Sequence, residues 1–361
     1  MAAYVLVAPL IAAIVDRMPR KAVLVTADVV RLAIALLLPF VTEAWQIYLL
    51  VFVLQSASAT FTPAFQSLIP AILPDSRDYT RALSLSRLAY DLESLLSPII
   101  AATLLAFVSY SNLFVGTALG FTSSAVLVLT SQLPDSIAGQ KATTFWQRLP
   151  LGIVIFARTQ TLQFLLLTNV VVAAGTAIVL VNSVVYARSV FELDEAALAF
   201  ALASFGAGSL AVAVNVPWIT GRIGVIRTMM IGMGLIVAGL IAAVIVSASG
   251  NTTLVGWSGL LTTWALLGMG TSLVSTPSAR LLADASTPAN RNLVYTAQFA
   301  LSHACFLVTY PVAGWLGARS LPLAAFVLLA IALAAAASAT AFAFTRRLRT
   351  QSEGLASTAS P

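Results

Sequence analysis

The chain has 361 residues, of which 60% are hydrophobic and only 9% charged, with a formal net charge of +6. A soluble chain of this length carries about a quarter charged residues, so lipid must be the solvent for most of this one. Those numbers exclude a soluble two-domain protein. The cations are scattered over short polar connections instead of gathered on one face, which excludes a nucleic-acid-binding surface. The apolar runs are near 20 residues long and lack period-two polarity, which excludes a β-barrel. The single cysteine, Cys305, rules out a disulfide within the chain and any multi-cysteine metal or redox centre. No cofactor is expected.

In chain order, a short apolar run at 1–15 precedes runs near 22–40, 46–69, 80–107, 113–132, 162–186, 196–218, 226–247, 256–279, 293–316 and 321–344, eleven in all. The first is the exception, since at about 1.5 Å per residue it covers roughly 22 Å of a hydrocarbon core near 30 Å. Met1 opens straight into apolar sequence without a basic leader, so no cleavable signal peptide is expected. Between the first two runs lies a charged loop, Asp16-Arg17-Met18-Pro19-Arg20-Lys21. Short loops rich in Lys and Arg stay in the cytoplasm. With this loop inside and the spans alternating, only Arg188 and Arg319 of the 19 cations fall outside, while Arg31 and Arg87 sit within spans. The same alternation puts the C-terminus in the cytoplasm. The expected location is the plasma membrane.

Gln132 to Gln160 is the longest polar stretch and contains an amphipathic piece, Phe145-Trp146-Gln147-Arg148. It divides the chain into an N-terminal bundle (1–132), a cytoplasmic central loop (133–161), a C-terminal bundle (162–345) and a cytoplasmic tail (346–361). A weak internal repeat agrees with that division: Arg222-Ile223-Gly224-Val225-Ile226-Arg227 echoes the first loop about half a chain later. Paired, related halves are how many secondary transporters are built. The expected fold is an all-α polytopic bundle of about eleven spans in two pseudo-symmetric halves.

The Asp-Arg-x-x-Arg-Lys loop, its second copy and the long central loop resemble the major facilitator superfamily along the whole chain. Ala27-Asp28-Val29-Val30-Arg31 and Thr62-Pro63-Ala64-Phe65-Gln66-Ser67-Leu68-Ile69-Pro70 look like its bacterial exporter branch of siderophore and drug exporters. Leu88-Ala89-Tyr90-Asp91-Leu92-Glu93 and Gln298-Phe299-Ala300-Leu301-Ser302-His303-Ala304-Cys305 look more particularly like nickel-resistance exporters. The resemblance implies two six-helix bundles with both termini inside, alternating access, and proton-driven export of a drug, a siderophore-like compound or a divalent metal such as nickel or cobalt. It also implies that the first family helix is missing here, because the signature loop follows the first run and not the second. A start internal to a longer reading frame, or a degraded non-transporting or regulatory remnant, accounts for that.

Several residues are candidates for the work. The resemblance implies that Asp16 docks on the positive N-terminal end of the helix starting near Asn292, with Arg17, Arg20 and Lys21 holding neighbouring carboxylates; the other reading is a topological loop only. Asp28 and Arg31 lie three apart on one helical face, and Arg87 and Asp91 four apart; each reads either as a structural ion pair or as part of coupling. Glu93 has no opposite charge at helical spacing and is the best candidate for a proton-carrying or cation-binding carboxylate, against a helix-to-helix hydrogen bond. Ser97-Pro98 stands where the family's antiporters carry a glycine-rich signature, degenerate here. His303 and Cys305, the only histidine and a spacing of two, point to opposite sides of a helix, so His303 reads as a packing residue or as a metal ligand with Asp91 or Glu93. Gln55, Gln66, Asn169, Asn182, Asn215 and Gln298 are polar residues within spans that line a pore or bridge helices. Gly206–Ser209 and Gly232–Gly234 lack the context of phosphate loops and read as helix-packing surfaces. The loops are too short for a catalytic domain, so the chain is not expected to be an enzyme. The expected partners are the lipid bilayer, protons and a small-molecule or cation substrate, met by a monomer.

Overall fold

The computed structural model describes residues 3–7, 10, 18–73, 75, 78–79, 81–82, 85, 89, 104, 110–133, 151–287 and 290–358. Its helices are α1 (Arg20–Leu37), α2 (Ala44–Ile72), α3 (Tyr110–Thr130), α4 (Leu151–Arg158), α5 (Gln160–Val185), α6 (Glu195–Ala213), α7 (Val216–Ile223), α8 (Val225–Ser249), α9 (Leu254–Asp284), α10 (Arg291–Gly317) and α11 (Leu321–Thr358). Among the described residues, eight helical segments are long and apolar enough to cross a membrane. They coincide with eight of the expected runs. A ninth, α9, has 31 residues but many Thr, Ser and Gly, which lower its hydropathy; its buried side chains run from Gly256 to Leu282, so it faces protein more than lipid. Of the remaining runs, 1–15 is described mainly as a π-helical turn at Ala3–Val7, and 80–107 lies almost wholly outside the described residues.

The expected single span at 196–218 is broken. Its helix α6 ends at Ala213, turns at Val214 and Asn215, and resumes as α7 with Pro217 in the first turn. Proline cannot donate to the carbonyl four residues back and its ring collides with it, so an unbroken helix cannot run through Pro217 without losing that bond. The cap at the start of α6 is Asp194, whose carboxylate accepts from the Ala197 N–H at 3.0 Å.

Contacts divide the chain into two compact units. The first comprises residues 1–79, 96–156 and 283–304, and in it α1 packs against both α2 and α3. The buried residues of α1, Val23, Leu24, Ala27, Asp28, Arg31, Ile34 and Ala35, recur at helical spacing on one face. Val23 and Leu24 meet Ala64 and Leu68 of α2 and Val128 of α3. Lipid is as apolar as these side chains, so close packing rather than exclusion of water holds them. A reciprocal cap between Glu43 and Gln46 opens α2.

The second unit comprises residues 80–95, 157–282 and 305–361, and its axis is α5, which packs against α8 and α11. The apolar window of α5 is 67% buried, whereas that of α3 in the first unit is 11% buried. Helices in this unit cross where glycines remove the side chain. A Cβ at Gly208 of α6 would overlap the Ala265 carbonyl of α9, and one at Gly268 of α9 would overlap the Phe205 carbonyl of α6. Gly232 of α8 and Gly270 of α9 approach each other's carbonyls at 2.9 and 2.8 Å measured from an added Cβ. The glycine clusters expected as packing surfaces thus meet at α9, although Gly234 faces open space. Large aromatic side chains near helix ends, Phe40, Trp45, Tyr48 and Trp315, are exposed, as befits the membrane–water boundary.

Candidate functional site

The strongest concentration of charge inside a described span is on α1. Asp28 and Arg31, one helical turn apart, form an ion pair with Asp28 fully buried and Arg31 9% exposed. The second carboxylate oxygen of Asp28 accepts a hydrogen bond from Ser124 Oγ of α3 at 2.8 Å. The Arg31 guanidinium lies over the ring of Phe61 of α2 at 4.1 Å and over Phe121 of α3 at 4.8 Å. One pair therefore ties three helices together. Aromatic faces supply a further ~0.5–2 kcal/mol to a desolvated cation, and removing one partner of a buried pair costs about 3–5 kcal/mol because the other charge is left bare. Arg31 Nε has no hydrogen-bond partner within the protein.

A second group gathers on one face of α10, where Tyr295, Phe299 and His303 follow one another every four residues. The Tyr295 hydroxyl shares a hydrogen bond of 3.2 Å with that of Tyr79, and both residues are buried. Burial, with Tyr295 adding to it, pushes the Tyr79 phenol above its ordinary value, so Tyr79 stays neutral. Tyr4 meets Phe299 edge to face at 5.2 Å and tilts over His303 at 4.5 Å, while its hydroxyl donates to Gln55. His303 Nδ1 lies 2.7 Å from the Phe299 carbonyl. A carbonyl only accepts, so Nδ1 carries the hydrogen and donates. His303 is thus engaged as a packed, backbone-bonded ring. Among the described residues no three His, Cys, Asp or Glu side chains gather as a metal site.

Asp16 and Arg17 of the loop, and Arg87, Asp91, Glu93, Ser97 and Pro98, lie outside the described residues. Lys21 reaches a carbonyl instead of the expected carboxylate: its Nζ donates to Ser131 O at 3.2 Å, just past the end of α3. Helix C-termini concentrate unpaired carbonyls and negative potential, which attracts a lysine. The polar residues within spans separate into three kinds. Gln55 receives Tyr4, and Asn182 bridges from α5 to the Ala313 carbonyl of α10 at 3.1 Å. Gln66 is exposed, and exposed Asn215 bonds back to its own helix at Ala211. Asn169 and Gln298 each hold a buried polar atom without a partner within the protein. Ser124, Tyr4 and the Tyr79–Tyr295 pair carried no signal in the sequence, since each partner is a lone residue remote in the chain.

The family model described as Major Facilitator Superfamily matches residues 1–261 and, in a second match, 165–360. Among curated proteins the chain is similar to the uncharacterized MFS-type transporter YfiS of Bacillus subtilis (strain 168), at 26% identity over 227 residues, 60% of this chain and 52% of that protein. It is also similar to macrolide efflux protein A of Enterococcus faecalis, at 24% identity over 136 residues, 36% of this chain and 42% of that protein. The chain spans about half the length of these curated relatives. Among solved structures, the outward-facing crystal structure of a bacterial homologue of the iron transporter ferroportin superposes with a TM-score of 0.75 at 16% identity, covering 94% of this chain and 87% of that one. The human organic anion transporter MFSD10 (TETRAN) superposes with a TM-score of 0.72 at 15% identity, covering 93% and 81%. Likeness at such identities is likeness of fold. The two matches of the family model together run the length of the chain, and the chain belongs to the Major Facilitator Superfamily.

Proposed function

We propose that this chain is a secondary active carrier of the bacterial plasma membrane that exports a small molecule by alternating access, with the proton gradient as the drive. The observation that carries the reading is membership of the superfamily over the length of the chain. Efflux by the Enterococcus faecalis relative supports export over import and a drug-like cargo over a metal ion. The C-terminus and the loop 16–21 lie in the cytoplasm on this reading, as the distribution of Lys and Arg supports. Asp16 latches the inner side, and Glu93, with Asp91, carries the proton. Asp28 and Arg31, which tie α1 to α2 and α3, take part in the coupling on this reading.

The test is efflux measured in inverted membrane vesicles containing the protein, with a fluorescent lipophilic probe. Uptake into the vesicles should need an imposed proton gradient and stop when an uncoupler dissipates it. Glu93→Gln should abolish the proton dependence. Accumulation equal to that of vesicles without the protein would sink the carrier reading.

A further inference from the structure

We propose that the exposed edge of α7 binds an anionic phospholipid, with Arg222 holding the phosphate and Trp218 supporting the start of the acyl chains. The break between α6 and α7 does not disturb the helical register, since Val214 and Asn215 at the turn keep helical dihedral angles. Residues four apart therefore share a face, and this face carries Val214, Trp218 and Arg222 in that order, apolar, aromatic and cationic. Val214 is 62% exposed and Trp218 60%, whereas Val216 and Thr220, two positions round the helix, are buried. At Gly224, with φ +86°, the chain turns into α8, and Arg227 stands exposed in the first turn of that helix.

The Arg222 guanidinium lies over the Trp218 ring, 4.2 Å from its centroid. Stacking takes up the flat face of the guanidinium and leaves the N–H donors in its plane free to turn outward. Among the described residues neither Arg222 nor Arg227 meets a carboxylate. Arg31 rests on aromatic faces in the same way but has Asp28 beside it. Arg222 has the ring without the carboxylate. Its planar fork matches two oxygens of one phosphate. The remainder of the face decides what carries that phosphate. A free anion would use the cations and leave the indole and Val214 idle, whereas a phospholipid joins a phosphate to apolar chains in the order in which the helix presents their partners. Indole rings settle at the membrane–water boundary, and arginine extends its charged end to the headgroups while its stem lies along apolar surface. No acidic residue lies on α7 or in the first turn of α8, so two cations stand together uncompensated. That balance selects an anionic lipid over a zwitterionic one, whose own cation would meet Arg222 and Arg227. The site concerns the surrounding membrane and not the cargo, so it stands or falls without the carrier reading.

The experiment titrates the full chain in dodecyl maltoside micelles with dioctanoyl phosphatidylglycerol, read by calorimetry against protein-free micelles, beside dioctanoyl phosphatidylcholine and inorganic phosphate. Phosphatidylglycerol should bind saturably and the other two about five-fold more weakly or less. Arg222→Gln should weaken phosphatidylglycerol binding about five- to ten-fold, and Arg222→Lys, which keeps the charge but loses the fork and the stacked plane, should not restore it. Trp218→Leu should weaken it about two- to three-fold. Arg158→Gln, at another exposed cation at the end of α4, should leave it unchanged. Thermal midpoints without added lipid should match the parent in every variant, since the changed side chains are exposed. Equal weakening by Arg222→Gln and Arg158→Gln would mean diffuse attraction of charge and overturn the proposal. So would parent-like binding by Arg222→Lys, phosphatidylcholine or inorganic phosphate binding as tightly as phosphatidylglycerol, or a lowered midpoint in Arg222→Gln. Transport is not part of the readout, so absence of efflux from the vesicles would sink the carrier reading and leave this result as it is.

Discussion

The surroundings of α1 and of α5 handle polarity in opposite ways. On α1 a full charge is buried and nearly every atom of it is answered: Asp28 by Arg31 and Ser124, Arg31 by Asp28, Phe61 and Phe121. On α5 itself no charge is present, the helices of its unit close up through Gly175, Gly208, Gly232 and Gly268, and some buried hydroxyl and amide groups, such as Thr176, Thr271 and Asn169, have no partner within the protein. The difference reflects scale. An uncompensated charge in a membrane interior costs more than a domain's whole stability margin can spare, whereas a lone hydroxyl costs only ~1–3 kcal/mol.

The largest test of that contrast is Asp28→Ala, which leaves Arg31 buried and alone. Thermal unfolding in detergent should show a loss of about 3–5 kcal/mol, most of it recovered in the double variant with Arg31→Met. A loss that the double variant fails to recover would mean that Asp28 matters for something besides its partner. Next comes Gly208→Ala, whose Cβ would overlap the Ala265 carbonyl. It should cost about 1–3 kcal/mol by the same measurement, and the corresponding change at Gly234, which faces open space, should cost nothing measurable. A smaller effect, about 1 kcal/mol, is expected for Tyr79→Phe, which removes one buried hydrogen bond. Amide exchange at the start of α10 should rise in that variant and not at its far end. The smallest is Lys21→Met, at roughly 0.3–1 kcal/mol, which should loosen exchange in the last turn of α3 and shrink further at high salt.

Much of this molecule could be read in advance wherever the information is local. Asp28 and Arg31 announce each other because a spacing of three brings opposite charges together on any helix. The glycine clusters of α6 and α8 read as packing surfaces because a missing side chain has the same meaning whatever lies opposite. The break before α7 was not legible, because Pro217 stands at it while Pro63, Pro277 and Pro311 stand inside unbroken helices. By contrast, nothing near Asp28 in the chain points to Ser124, 96 residues away, and nothing near Tyr79 points to Tyr295. Threonines such as Thr176 and Thr271 look like their back-bonded neighbours until the rotamers are known.

Composition and spacing by themselves determined that the chain lives in lipid, that it crosses as helices, and which charges share a turn, because the backbone must satisfy its own hydrogen bonds in hydrocarbon and the helical period is the same everywhere. Only the tertiary structure decided which polar groups meet across helices and which remain without a partner, because those contacts depend on how segments a hundred or more residues apart come to lie side by side.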